Sequence, residues 1–467
     1  MPSKQPSGNA LGVRPYVSQT GAFTNGSDSP RAFLERCLEV IAAQEDAVGA
    51  FVTLNIAGAR AAVDASTARW KAGATLSPID GMPVAIKDLL ETKDMPTEMG
   101  CAAFKGNFPK RDNAAVWALR QAGALILAKT VTAELGGAHP GATTNPFDPA
   151  RTPGGSSSGS AAAVGACMVP AAIGTQVGGS IIRPAAYCGN FALKPTQGGI
   201  NRGERLATSM STHGPHAGCL EDMWQVAIEI ANRAGGDRGA IGLVGPSTLP
   251  AAVKPNRLIV LETEGWPLAD DATKAGFEAL LKQLRDAGVT LIGRKDHPMV
   301  EALEQSIANG RAVCNGVTSW ENRWYQRGIV DNDPAGVSQR AKATLAKAEA
   351  MTPDDYRMWL MARENAQRIH GAMAQLGDAA ITLACPGPAP IWSGDVSGQP
   401  LAPRPTGDFV FNAPSSMLFA PVVTVPLMSV GGMPVGIQLM GQQREDARMT
   451  GLARWLSQTV KPVATPA

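Results

Sequence analysis

The chain has 467 residues, 44% of them apolar and 18% charged, which is ample material for a large buried core. A formal net charge of +2, with no block of five or more like charges, argues against nucleic acid or an anionic membrane as a partner reached by bulk electrostatics. The seven cysteines show no CxxC or CxxH spacing and read as free thiols of a reducing compartment, and the five histidines form no HExxH pattern, so no metal site is suggested. The first residues lack the apolar stretch of a signal peptide, and no uncharged apolar run is long enough to span a bilayer. A cytoplasmic location without membrane contact is expected.

Residues 1–28, rich in Ser, Gly, Asn and Pro, read as a loosely held arm. From Ser29 the segment SPRAFLERCLEVIAAQEDAVGAF places Phe33, Cys37 and Ile41 on one face of an amphipathic helix, and AGARAAVDASTARWKAG reads as a second helix. Pro83–Ile86 is a short apolar strand that stops at Lys87-Asp88. Residues 114–136 alternate helix, strand (LILAKT) and helix (VTAELGG). A Gly/Ser-rich stretch at 154–160 precedes an Ala-rich helix and the strand PAAIGTQ. Beyond it come a helix near 220–234, strands Leu258–Glu262 and Val289–Ile292 around a helix over 271–287, and polar helices at about 298–325 and 337–376. Strand text returns with AAITLAC, APVVTVPLM and MPVGIQLMG before a last helix, DARMTGLARWLSQ. Strands interleaved with helices over the whole length predict an α/β class with a largely buried sheet. No internal repeat or long linker divides it, so 29–467 reads as a single domain with its motif core at about 75–235.

The densest chemical signal runs from Thr152 to Pro195: TPGGSSSGSAAAVGACMVPAAIGTQVGGSIIRPAAYCGNFALKP. A flexible linker would not lead directly into a helix and an apolar strand. A phosphate loop would need GxxxxGK[ST] or GxGxxG, and neither is present. Gly178-Gly179 before Ser180 allow a tight turn that exposes the successive N–H groups of Val177, Gly178, Gly179 and Ser180, as an oxyanion site requires. A serine at the end of such a loop is well sited as a nucleophile, but it needs a base, and no histidine has a motif setting beside it.

With GMPVAIKD ahead of it and FNAPSSMLFAPVVTVPL and GMPVGIQLMG behind, this stretch resembles the amidase-signature family over most of the chain. The resemblance implies a large mixed central β-sheet covered by helices on both faces, and a Ser–cis-Ser–Lys triad. The nucleophile falls on Ser180, the bridging serine on Ser156 and the lysine on Lys87, with a cis peptide between Gly155 and Ser156. Read alone, Lys87 is a strand-end surface lysine; the three matching positions together reverse this in favour of a base, which burial would have to deprive of its charge. Ser157, Ser158 and Ser160 read as loop bonding and helix N-capping, and Asp88 as loop support. No cofactor is implied.

Where the family text carries an acid, TQVGGSIIRP has Gln176, and the arginine stands at Arg183, as in malonamidase-like members. Arg183 either binds a substrate carboxylate or is a buried structural cation. In STHGPHAGCLED, His213 reads as a loop-packing residue rather than a base. Met99, Cys101, Leu135, Gly136, Trp392 and the region around Phe409 are candidate pocket walls, Cys101 near the entrance either tuning the pocket or filling space. The implied activity is hydrolysis of a small carboxylic amide, or a related carbamate or urea, through a Ser180 acyl-enzyme, with a homodimer as the candidate assembly. The alternative is an amidotransferase component that releases ammonia from glutamine for a partner.

Overall fold

The computed structural model describes residues 14–137, 139–204, 208–396 and 399–466. Twelve strands form one sheet among these residues: β1 Phe51–Leu54, β2 Pro83–Lys87, β3 Leu125–Thr130, β4 Ala171–Gln176, β5 Phe191–Lys194, β6 Thr212–Ala217, β7 Arg257–Val260, β8 Thr290–Ile292, β9 Ala379–Leu383, β10 Val422–Val430, β11 Met433–Met440 and β12 Val463–Thr465. Their spatial order is β1-β3-β2-β4-β6-β5-β10-β11-β9-β7-β8, with β12 on β10. Pairing is mixed. β3, β2 and β4 run parallel, as do β9, β7 and β8, whereas β6, β5, β10 and β11 are joined by antiparallel ladders.

The sheet is packed on both faces. Val84 and Ile86 belong to one apolar core and Ala85 to another, as the two-residue side-chain period requires. Helices Pro30–Val48, Ile56–Lys71 and Ser158–Gly165 close the second core through Leu34, Ile41, Val63 and Val164, and helices Ala114–Gln121 and Leu220–Ala234 help close the first. Every residue of β2, β3, β4 and β11 is buried, which explains why their text is continuous rather than alternating. No described helix is long and apolar enough to cross a membrane.

The chain passes from β2 to β3 on one side of β2, then returns to place β4 on its other side. This reversal leaves a crevice beyond the carboxyl ends of β2 and β4, the position where open parallel sheets bind ligands. Those ends carry Lys87 and Thr175-Gln176.

Three expectations are corrected. Residues 1–13 lie outside the described residues, but the rest of the expected arm is tied down. Tyr16 is fully buried, with its ring 5.3 Å from that of Phe23 and 5.0 Å from that of Phe33, and helix Thr20–Asn25 follows. The N–H groups of Tyr16 and Val17 donate to the two carboxylate oxygens of Asp222 at 2.8 and 2.9 Å. The aromatic residues, sparse in a polar stretch, decide this. VTAELGG is not a helix but a short 3-10 turn, Glu134–Gly136, interrupted by Leu135 at φ +51°. STHGPHA, expected as a loop, is the central strand β6. It tolerates Pro215 because the ladder from β5 ends at His216, before the proline that cannot donate to it.

Asp222→Ala leaves two buried N–H groups unpaired and should cost about 2–5 kcal/mol. Urea unfolding of the purified variant against the parent measures it; an unchanged midpoint would show that the segment from Tyr16 is held by its apolar contacts and the Tyr16 hydroxyl bond to Asp80 O.

Candidate active site

Lys87 is the last residue of β2 and has no exposed surface. Its Nζ lies 2.7 Å from Ser156 Oγ, 2.8 Å from Thr175 Oγ1 and 3.0 Å from Ser157 Oγ. No carboxylate stands among these partners, and desolvation pushes the amine well below the ordinary lysine range. Hydrogen-bond accounting then orients the site. The Ser157 hydroxyl proton goes to Thr175 O at 3.1 Å, so Ser157 Oγ accepts from both the Thr175 N–H, at 3.2 Å, and Lys87. A neutral amine has two N–H donors and one lone pair. One donor is taken by Ser157, which leaves the Ser156 and Thr175 hydroxyls as the groups able to donate to the lone pair.

The segment carrying Ser156 is shaped by Gly154 and Gly155, both left-handed at φ +85° and +61°. A Cβ on Gly155 would stand 3.2 Å from Ser180 Cα and 2.7 Å from the Pro184 ring, so this backbone lies directly against the start of the 180–187 segment. The expected cis bond is corrected here: no described peptide is cis, and the two consecutive left-handed glycines turn the chain instead. The N-capping expectation also fails for Ser157, whose side chain makes no capping bond and is committed to Lys87 and Thr175. Ser160, within helix Ser158–Gly165, bonds Ile173 O of β4 and so ties helix to strand rather than fastening a loop.

Ser180 is part-exposed, and its Oγ has no hydrogen-bond partner among the described residues. The preceding loop is braced from outside. Gln176 Oε1 accepts from the N–H groups of Ile181 and Ile182 at 2.9 and 3.0 Å, and Ser416 Oγ donates to Gly178 O at 3.1 Å. A neutral amide thus supplies the acceptor that an acid would supply in its place. The N–H groups of Gly178, Gly179 and Ser180 find no protein acceptor among the described residues and border a cavity of about 1690 Å³. Such unspent donors suit an incoming oxyanion.

The same cavity is lined by Ser156, Thr175, Arg183, Met99, Leu135, Gly136, Phe409 and His213, but by neither Cys101 nor Trp392. Met99 and Gly100 are both left-handed, at φ +55° and +61°, and the turn packs Cys101 with Ile329 and Val337 while its Sγ donates to Gly336 O. The backbone N–H of Trp392 donates to Ala150 O, away from the cavity. Arg183 is buried; its Nε and Nη2 donate to the carbonyl and hydroxyl of Thr406 at 2.8 and 3.0 Å, while Nη1 has no partner. Asp88 pairs with Lys129 at 2.8 Å and accepts from the Glu98 N–H, so it supports the loop. Thr175 and Thr406 were not anticipated. The only sequence trace of Thr175 is its place at the end of the strand leading to Gly178-Gly179.

A family model described as Amidase matches residues 32–449. The chain belongs to the amidase family. As an amidase it is an enzyme acting on C–N bonds other than peptide bonds. A glutamyl-tRNA(Gln) amidotransferase subunit of Chloroflexus aurantiacus is 31% identical, over 92% of this chain and 93% of the relative. The corresponding protein of Salinispora arenicola is 29% identical over 96% and 97%. Among solved structures, an amidase superposes with a TM-score of 0.82 at 26% identity, covering 96% of this chain and all of the other. A bacterial aryl acylamidase of the amidase-signature family, at TM-score 0.80 and 17% identity over 96% of each chain, shares the fold.

Gly174 tests the packing under the lysine. Its φ is not left-handed, yet a Cβ there would meet His216 Nε2 at 2.7 Å and Ser157 Oγ at 2.8 Å. Gly174→Ala should therefore destabilise the amidase by about 1–3 kcal/mol, where an unhindered Gly→Ala change stabilises. Thermal melting decides the sign.

Proposed function

We propose that this amidase hydrolyses a small carboxylic amide, or a carbamate or urea of the same shape, through an acyl-enzyme on Ser180. The observation that carries the reading is a buried Lys87 amine, with no carboxylate among its partners, 2.7 Å from the Ser156 hydroxyl. Ser180 Oγ attacks the carbonyl carbon while its proton passes to Ser156, and the Ser156 proton passes to Lys87 Nζ. The carbonyl oxygen, now negative, is received by the N–H groups of the 177–180 loop. As the C–N bond breaks, the Lys87 ammonium returns its proton through Ser156 to the departing nitrogen. Water then attacks the Ser180 ester, using the same relay in the same order, and releases the acid.

The partnerless Nη1 of Arg183 supports a carboxylate on the acyl side of the substrate, where it would gain a charge-assisted bond. A second reading, glutamine-dependent ammonia release for a partner, is supported by the full-length similarity to glutamyl-tRNA(Gln) amidotransferase subunits. Glutaminase activity and co-purification of a second protein would favour it over a stand-alone hydrolase.

Ser180→Ala should abolish turnover and labelling by a sulfonyl fluoride with the fold retained; near-normal turnover would eliminate the mechanism. Because the base is the neutral amine, kcat/KM should rise with pH through the lowered Lys87 pKa and level off well below pH 10.5. A pH–rate profile that still climbs at pH 10 would contradict a desolvated lysine. Arg183→Gln should lower kcat/KM about 10- to 100-fold for an amide with an acyl carboxylate, the value of a hydrogen bond to a charged group. The matched neutral amide should change little.

A further inference from the structure

The wall of the cavity beside Lys87 carries polar atoms that the mechanism does not use. His213 of β6 is the direct antiparallel partner of Thr175, so the two side chains share a face of the sheet. It is 6% exposed, and its Nδ1 has no hydrogen-bond partner. Burial first, then the nearby Arg202 and Lys87, push its pKa down to about 3, so the ring is neutral and offers one donor and one acceptor. Thr208, 5% exposed, and Thr318 also line the cavity, and the hydroxyl of each lacks a partner. The two are held on one wall: Ser209 donates through N–H and hydroxyl to the Glu321 carboxylate at 2.6 Å, and Thr318 lies one turn before Glu321 in helix Gly310–Asn332. Arg202 caps this wall by donating to Thr208 O, but its charge is paired with Asp237 at 2.6 Å.

Buried polar groups are normally satisfied, and three unsatisfied ones among the residues lining one cavity point to a ligand that completes them. Their position says which part of the substrate. The departing nitrogen takes its proton from the Ser156–Lys87 relay, and His213 stands across the ladder from Thr175, which bonds that same lysine, whereas Arg183 is fixed to Thr406. Their chemistry says what kind of group. A neutral imidazole and two hydroxyls exchange hydrogen bonds with an uncharged polar group, whereas an ion buried there would lack a counter-charge.

We propose that His213, Thr208 and Thr318 form the leaving-group subsite and select amides whose departing nitrogen carries an uncharged hydrogen-bonding substituent, such as a hydroxyl, carboxamide or ureido group, over alkylamides of the same size. The assignment rests on the Ser180 acyl-enzyme reading and adds the specificity of its second product. A site built around such a bond rejects the analogue that lacks it, because the site's own polar atoms are then left unpaired.

The test uses two amides of one acid, the 2-hydroxyethylamide and the propylamide, with the parent enzyme and its His213→Val, His213→Gln and Thr318→Val variants. The parent should prefer the hydroxyethylamide by about 10-fold or more in kcat/KM. His213→Val should bring the ratio towards one by slowing the hydroxyethylamide alone, and His213→Gln should restore part of it. Thr318→Val, on a helix facing the cavity, makes the same comparison should the strand variant fail to fold. The rate of Ser180 labelling by phenylmethylsulfonyl fluoride is measured in each. Retained labelling with a ratio unchanged by both valine substitutions overturns the subsite alone. Absence of Ser180 labelling in the parent overturns the acyl-enzyme reading and the subsite with it.

Discussion

Desolvation disfavours the charged form of an amine, and the centre of this molecule buries Lys87 with no carboxylate among its partners. Three demands follow. The strand that delivers the lysine must be buried on both faces, which β2 achieves between the parallel strands β3 and β4. Every partner of the amine must be neutral, and each one is a hydroxyl or a carbonyl. The space for those partners must come from the backbone, and Gly174 provides it by having no side chain. The contrast with Lys129 is instructive. That lysine, one strand away and equally buried, faces Asp88 and forms an ion pair. Two lysines of similar burial thus differ by a single carboxylate partner.

Much of this was legible in the chain. LILAKT reads as a strand because the unbroken apolar run Leu125–Ala128 needs cover on both faces, and β3 has it. The positions of Lys87, Ser156 and Ser180 are readable through family likeness, but their meeting is not a local property. It depends on β2 and β4 becoming neighbours although helix, strand and loop lie between them. The failures are physical as well. GPH looks like a turn, and only the ladder to β4 reveals a strand; a sparse aromatic pair outweighs a polar composition around Tyr16. Cys101 is two residues from a cavity-lining methionine, yet two left-handed residues rotate it into a different apolar cluster.

Two strained backbone positions help to build the cavity. Met99 and Leu135 are among the few non-glycine residues with positive φ; both line the cavity, and the Leu135 N–H donates to Met99 O at 2.8 Å. Each such residue costs about 1–3 kcal/mol and persists because its surroundings over-determine it. That rigid turn holds one wall in place opposite the loop that carries Ser180.

The order of the strands also bears on how the chain is made. β5 has its second neighbour only in β10, and β9 finds its antiparallel partner only in β11, so the hairpin Val422–Met440 joins the two halves of the sheet. It leaves the ribosome long after the strands it joins. Until then the amino-terminal half, which already holds Lys87, Ser156 and Ser180, presents β5 as an open, apolar edge able to pair with another nascent chain. The two halves of the sheet are therefore continuous only once that hairpin has been made.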